Sequence, residues 1–115
     1  NPLAMRAGVE TLKIMVEDGL LENAAARGAQ LRQAFETQFA GLAGVKEIRG
    51  AGLMIGIELA RPCGALLQRA ADAGLMISVT ADSVIRLVPP LILTTAEADE
   101  IVAKLTPLVH TFLAE

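Results

Sequence analysis

The sequence contains very few of the residues that build disulfides, metal sites and base-stacking surfaces. Among its 115 residues are one cysteine, one histidine, three phenylalanines, and no tyrosine or tryptophan. The lone Cys63 cannot form an internal disulfide, and with His110 it is too little for a Cys/His zinc site. The formal net charge of -3 also argues against the basic surface that nucleic acids require. We therefore expect no nucleic-acid partner and no metal, and a reducing compartment, first of all the cytoplasm.

Long uncharged stretches are missing as well. The longest, 87–96 and 105–114, are ten residues each, about half of the roughly 20 residues that a membrane-spanning helix needs. The chain starts at Asn1 with no initiator methionine and no signal-peptide pattern. This start predicts a piece of a longer protein, and no membrane association is expected.

Apolar residues are abundant. They make up 53% of the chain, against 20% charged residues, and the mean hydropathy is +0.50. A chain of this size can bury a core of its own without disulfides. The high hydropathy predicts that some apolar surface faces a partner or a further domain. The alternative is that the many alanines raise the mean without forming a patch.

Helical spacing dominates the first 43 residues. Apolar residues at steps of three and four predict one helix from about Leu3 to Asp18 and a second that ends near Ala40, with Gly19 as a left-handed residue between them. The chain is interpreted as a single domain, 1–115. Residues 1–43 form its helical lead-in, and residues 44–115 form its sheet and remaining helices.

Alternating apolar residues predict four strands after residue 44. They are expected at Val45–Arg49, 53–59, Leu75–Val79 and Val84–Val88. Residues of both faces of the last strand are apolar, so a neighbour is expected on the second face as well.

Two further helices complete the pattern. Pro62 is expected in the first turn of one, whose apolar stripe is Leu66, Leu67, Ala70 and Ala71. Thr94 and Glu97 form a capping box at the start of the other, which should kink at Pro107. The order helix, helix, strand, strand, helix, strand, strand, helix predicts a two-layer α/β (α+β) domain. Its helices cover one face of a small, mostly antiparallel sheet, and the other face stays open.

Arg86 is the strongest candidate for a binding residue. Its neighbours in the fourth strand are all apolar. A guanidinium among apolar residues loses hydration unless an anion binds it. Its planar fork can form two parallel hydrogen bonds with a carboxylate, so a carboxylate is the expected ligand. Two structural alternatives remain open at this point. Arg86 could form an ion pair with Glu58 or Asp82, or its stem could lie along the sheet with its head in water.

Other candidates are better explained without chemistry. Gly50, Gly52 and Gly56 precede or lie in a strand, whereas a phosphate loop precedes a helix, so they are interpreted as turn and packing glycines. The acidic residues after Thr94 suit a helix N-terminus better than a metal. The sequence has no strand-to-helix nucleophile elbow, so His110 is not expected to act in hydrolysis. Cys63 is expected to be a small buried residue. The three lysines have no cofactor-binding context.

Five blocks of the sequence resemble, in their order, the class III, fold-type I PLP-dependent aminotransferases. The blocks are NPLA at 1–4, GLLENA at 19–24, VKEIRGAGLMIGIEL at 45–59, AGLMI at 73–77 and VIRLVPPL at 84–91. The resemblance covers essentially the whole chain and points to the C-terminal small domain of these enzymes. Within the family, the blocks are most similar to the acetylornithine branch.

The resemblance implies a cytoplasmic homodimer that moves the terminal amino group of N-acetylornithine to 2-oxoglutarate in arginine biosynthesis. It further implies that PLP is bound by a large domain, through a lysine and a Ser-Thr pair that are not part of this sequence. These 115 residues are therefore expected to be inactive alone and to bind no PLP. Arg86 matches the family arginine that binds a substrate carboxylate. The block RGAGLMIGIEL is assigned to the sheet, with no catalytic role.

Two alternatives remain. The donor could be ornithine, succinylornithine or 4-aminobutyrate, because other class III enzymes share variants of these blocks. The chain could also be a non-enzymatic, ACT-like amino-acid-binding regulatory domain, since its strand and helix order after Gly44 is close to a ferredoxin-like order.

Overall fold

Four short antiparallel strands form one sheet in the computed structural model, which describes residues 1–115. The elements are α1 (Pro2–Glu17), α2 (Leu20–Gln38), β1 (Val45–Ala51), β2 (Met54–Leu59), α3 (Ala65–Asp72), β3 (Ser78–Thr80), β4 (Val84–Leu87) and α4 (Thr95–Leu113). The strand order is β1-β2-β4-β3, and every neighbouring pair is antiparallel. The two-layer α+β prediction is confirmed.

The core lies between the sheet and one layer of helices. Helix α2 packs against β1 and β2, and α4 packs against α2 and α3. Across the four strands the inward row is Ile48, Ile57, Ile85 and Val79. Leu31 and Phe35 of α2 are fully buried in the same cluster. The period of two in the strands and of three to four in the helices sets which side chains face this core.

The predicted turn and cap residues have the expected conformations. Gly19 has a φ of 65° between α1 and α2, as the left-handed interpretation requires. The capping box is present, because Thr94 and Glu97 exchange hydrogen bonds of 3.0 and 3.1 Å. The pKa of Glu97 lies below its usual range. The main cause is the hydrogen bond from the Thr94 backbone, and the second is the hydrogen bond with the Thr94 side chain. Helix α4 continues unbroken past Pro107.

The third helix begins later than predicted. It starts at Ala65, so Pro62 lies in the preceding bend and not in the first helical turn. Leu66 and Ala70 are buried, but Leu67 is 43% exposed and Ala71 is exposed. A helix of eight residues presents only a narrow i, i+4 stripe to the core. The predicted stripe is therefore correct for Leu66 and Ala70 and wrong for Leu67 and Ala71.

The third and fourth strands are shorter than predicted. Strand β3 begins at Ser78, opposite Arg86, and β4 ends at Leu87. Continuing this register would place Leu75 opposite Pro89, and proline has no N–H to donate to a ladder. Val88 thus lies outside the sheet and is 61% exposed, so the expectation that it lines the second face of β4 was wrong.

Helix α1 has no buried residue. Among the regular elements it packs mainly against α2, and the molecule is elongated, with extents of 53 × 27 × 22 Å. Six of its large apolar side chains are at least 49% exposed: Leu3, Met5, Val9, Leu12, Ile14 and Val16. Met15 is half-buried. The expectation of exposed apolar surface is confirmed. No helix of the chain is both long and apolar enough to cross a membrane.

We expect the 115-residue chain, expressed alone, to self-associate and to bind a hydrophobic dye, because large exposed apolar side chains favour association in water. Light scattering after size exclusion and dye fluorescence measure the two effects. The control changes Leu3 and Val16, which are 78% and 73% exposed, to glutamine, a good helix former. That variant should bind less dye. A monodisperse, dye-negative parent chain would contradict the prediction.

Candidate functional site

The sheet face away from the helices carries a row of polar and small residues. Arg49, Gly56, Arg86 and Ser78 lie opposite one another on the four neighbouring strands. Each of them is next in sequence to a residue of the inward row and faces the opposite side of the sheet, because successive side chains of a strand point to opposite faces. We call this surface the open face.

Arg86 has no anionic partner on the open face. Its Nε donates a 3.2 Å hydrogen bond to Ser78 Oγ, and the residue is exposed. It takes part in none of the ion pairs of the chain, so neither predicted partner, Glu58 or Asp82, neutralises it. Both terminal nitrogens of its guanidinium are therefore free to bind a ligand.

Arg49, on the first strand of the row, is neutralised by carboxylates. Its Nη1 lies 3.1 Å from Glu47 Oε2 and 3.3 Å from Glu58 Oε2. One guanidinium thus serves two carboxylates. The charge that the open face leaves uncompensated is that of Arg86.

A cavity of about 380 Å³ lies between the two arginines. Its lining consists of Arg49, Gly50, Ala51, Met54, Ile55, Gly56, Thr80, Val84 and Arg86. Gly56 forms part of its floor, since a Cβ there would lie 3.6 Å from both Arg49 Cγ and Val84 Cγ1. An open cavity with one unpaired guanidinium, apolar walls and a glycine floor suits a small carboxylate, which an Arg fork binds through two parallel hydrogen bonds.

The segment after β4 is fastened to α2. Asn23 Nδ2 donates hydrogen bonds of 2.8 Å to the Leu91 carbonyl and 2.9 Å to the Leu93 carbonyl. Further along, Gln30 Nε2 donates to the Thr95 carbonyl at 3.1 Å. The end of the strand that carries Arg86 is thereby held in one position relative to the helical layer.

The glycines of the RGAGLM block have the predicted packing roles. Gly52 has a φ of 55° in the turn between β1 and β2, and a Cβ on Gly28 of α2 would lie 2.0 Å from the Gly52 carbonyl oxygen. A Cβ on Gly50 would lie 2.6 Å from the Met54 oxygen. Helix and turn are in direct backbone contact, as packing glycines permit.

The remaining candidate residues are buried or take part in contacts within the fold. Cys63 is buried, and burial raises the pKa of its thiol, which disfavours the reactive thiolate. His110 Nε2 lies 3.2 Å from the Gln38 carbonyl oxygen. Of the acidic residues after Thr94, Asp99 accepts from Gln30 at 2.8 Å and Glu100 pairs with Lys104 at 2.9 Å.

Sequence reasoning assigned only Arg86, among the residues of the cavity, to a binding site. Arg49 and Gly56 were assigned to the sheet, and Ser78 was not connected with Arg86. One signal was available in the strand alternation. Arg49 and Gly56 fall on the same side of their strands as Glu58, opposite to the apolar positions.

Comparison with known proteins assigns the whole arrangement to one family. Residues 1–109 match aminotransferase class-III. The chain is 52% identical over all 115 residues to acetylornithine aminotransferase 1 of Bordetella bronchiseptica. It superposes on the ornithine delta-aminotransferase of Plasmodium falciparum with a TM-score of 0.93 and 31% identity, which covers 100% of this chain and 31% of that one. With N-acetylornithine aminotransferase of Stenotrophomonas maltophilia the TM-score is 0.87, at 30% identity over 99% of this chain and 32% of that one.

The chain is short relative to these proteins. It spans 29% of the length of the Bordetella relative.

Proposed function

The chain belongs to the class III aminotransferases, and we propose that the longer protein it is part of transfers the terminal amino group of N-acetylornithine to 2-oxoglutarate. Support for this donor comes from the relative that is half identical to the chain over its whole length and is named for acetylornithine. Family membership also disfavours the alternative of a free-standing ACT-like regulatory module.

We assign Arg86 to the substrate carboxylate. The observation that carries this proposal is the unpaired guanidinium at the edge of an open cavity. A carboxylate bound in a bidentate manner gains two charge-assisted hydrogen bonds and a fixed orientation, which a lysine could not provide. Both 2-oxoglutarate and N-acetylornithine carry a carboxylate suited to this site.

PLP is the proposed cofactor, and it would supply the electron sink for the amino transfer. The residues of this chain do not form a PLP site by themselves. None of the lysines lines the cavity, since Lys13 lies on α1, Lys46 on β1 and Lys104 on α4. We therefore place PLP and its lysine on the remainder of the longer protein, and we propose that these 115 residues alone bind no PLP and are inactive.

The same proposal covers the wider setting. Residues 1–115 would form the C-terminal small domain, packed against a large PLP domain of the same chain. The exposed apolar helix α1 and the open face are surfaces available for such packing. We further propose a cytoplasmic homodimer that acts in arginine biosynthesis.

Ornithine is the second candidate donor. The structural similarity to an ornithine delta-aminotransferase favours it, because ornithine and N-acetylornithine share the terminal amine that reacts and differ at the other amino group.

The test uses the full-length protein with bound PLP. N-acetylornithine, ornithine, succinylornithine and 4-aminobutyrate are added in turn, and the absorbance of the bound cofactor is followed. We expect the strongest response with N-acetylornithine. A response led by another donor would move the substrate within the family. A protein that binds no PLP and responds to none would contradict the proposal.

A further inference from the structure

Four charged side chains lie close together on the open face, and only one of them is unpaired. Glu47, Glu58 and Arg49 form a cluster of two carboxylates on one guanidinium. Arg86 donates only to Ser78. Two arginines and two glutamates could form several different ion pairs. A physical reason is needed for the arrangement in which both glutamates bind Arg49 and Arg86 has no carboxylate partner.

Glu58 is within reach of Arg86. In the ladder between β2 and β4, Glu58 pairs with Val84, and Arg86 lies two residues further along on the same face. Diagonal neighbours of this kind are about 7–8 Å apart, a distance that long side chains span. Gly56 lies directly opposite Arg86 and next to Glu58 on the same face of β2, so no side chain of β2 stands beside Glu58 on the side toward Arg86. Val84, opposite Glu58, is the one neighbour there from β4, with its Cγ1 3.6 Å from the position of a Gly56 Cβ.

The side chain of Arg49 determines which pairing forms. Its Cγ and Nε pass 3.6 and 3.8 Å from the point where a Cβ of Gly56 would lie, so the stem of Arg49 extends across β2. In this position its Nη1 reaches Glu58 Oε2 at 3.3 Å. The glycine therefore permits Arg49 to bind the carboxylate that would otherwise be free to turn toward Arg86.

We propose that Arg49 is a positioning residue that holds the Glu58 carboxylate away from Arg86 and so keeps Arg86 available for the substrate carboxylate. This inference rests on the proposed function of Arg86. Without Arg49, Glu58 becomes an internal competitor for the Arg86 guanidinium.

The experiment measures carboxylate binding to the full-length protein. Glutarate, which has two carboxylates but neither an amino nor a keto group, is titrated calorimetrically, and kcat and KM for 2-oxoglutarate are measured separately. We expect Arg49→Met to raise the glutarate Kd and the KM about fivefold, the size of competition from a partly exposed ion pair, with kcat changed by less than about twofold. Arg49→Gln is the second variant if Arg49→Met folds poorly.

Two double variants separate competition from a general loss of charge. Arg49→Met with Glu58→Gln removes the competitor and should restore Kd and KM to within about twofold of the wild type. Arg49→Met with Glu47→Gln has the same net charge, but Glu58 stays free, so the weak binding should persist. Glu58→Gln alone should bind glutarate as the wild type does.

Equal rescue by both double variants, or rescue by neither, would overturn the inference. So would an Arg49→Met protein that binds glutarate normally. Arg86→Gln distinguishes this result from a failure of the proposed function. If Arg86→Gln also binds glutarate normally, Arg86 is not the carboxylate ligand, and both proposals fall together.

Discussion

Arg86→Lys in the full-length protein should raise the KM for the donor or the acceptor and lower kcat/KM about tenfold or more, with folding unchanged. Lysine keeps the positive charge but replaces a planar fork by a point charge, so a bidentate carboxylate loses one hydrogen bond and its fixed orientation. Arg86→Gln, which also removes the charge, should lose still more. Because Arg86 is exposed and forms no ion pair, neither change leaves a buried group unpaired.

Steady-state kinetics with each substrate, together with a thermal melt, measure this effect. Ser78→Ala is the matched control, since it removes the only side-chain partner of Arg86, the Oγ at 3.2 Å from Nε, and leaves the guanidinium in place. We expect it to lower kcat/KM much less than Arg86→Lys does, because it removes one hydrogen bond to Nε and keeps both terminal guanidinium nitrogens for the carboxylate. Unchanged kinetics in Arg86→Lys and Arg86→Gln would remove the arginine from the substrate site.

Gly28→Ala should be strongly destabilising, by about 3 kcal/mol in this domain, because overpacking against rigid backbone cannot be relieved by a side-chain rotation. The added Cβ would lie 2.0 Å from the Gly52 carbonyl oxygen and 2.7 Å from its carbonyl carbon. Helix α2 would have to move away from the β1–β2 turn. Since Gly50 and Ala51, the last residues of β1 before that turn, line the cavity, carboxylate binding should weaken as well.

Thermal unfolding of the full-length protein tests this prediction. Gly8→Ala is the control, because Gly8 also lies in a helix interior but no atom lies within 4 Å of its added Cβ. That change should stabilise by about 0.5–1 kcal/mol through helix propensity alone. A Gly28→Ala protein that melts at or above the wild-type temperature would show that α2 and the turn can separate without cost.

The wrong sequence predictions share a cause. The third helix was extended back to Pro62, which lies in the preceding bend, and its predicted stripe included Leu67, which is exposed. The third strand was extended to Leu75, which packs against the core but has no ladder partner. An apolar side chain is a local signal, but burial and ladder pairing depend on the residues opposite. Where the opposite residues were prolines, the strand ended early.

The sequence by itself determined the fold class, the four alternating strand segments, the conformational roles of Gly19 and Thr94, and the resemblance of five blocks to the aminotransferase family. These follow from periods of two and of three to four residues and from the local chemistry of glycine and threonine, all of which can be read within a few residues. It also singled out Arg86, because a charged residue in an apolar strand breaks the local pattern.

Only the tertiary structure decided the strand order, and with it the cavity. The order β1-β2-β4-β3 places Arg49 and Arg86 on either side of Gly56, although the two arginines are 37 residues apart in the sequence. It also decided that Glu58 pairs with Arg49 and leaves Arg86 free. Which of two nearby cations a carboxylate binds depends on register and on the path of one side chain across a glycine, and neither has a local signature in the sequence.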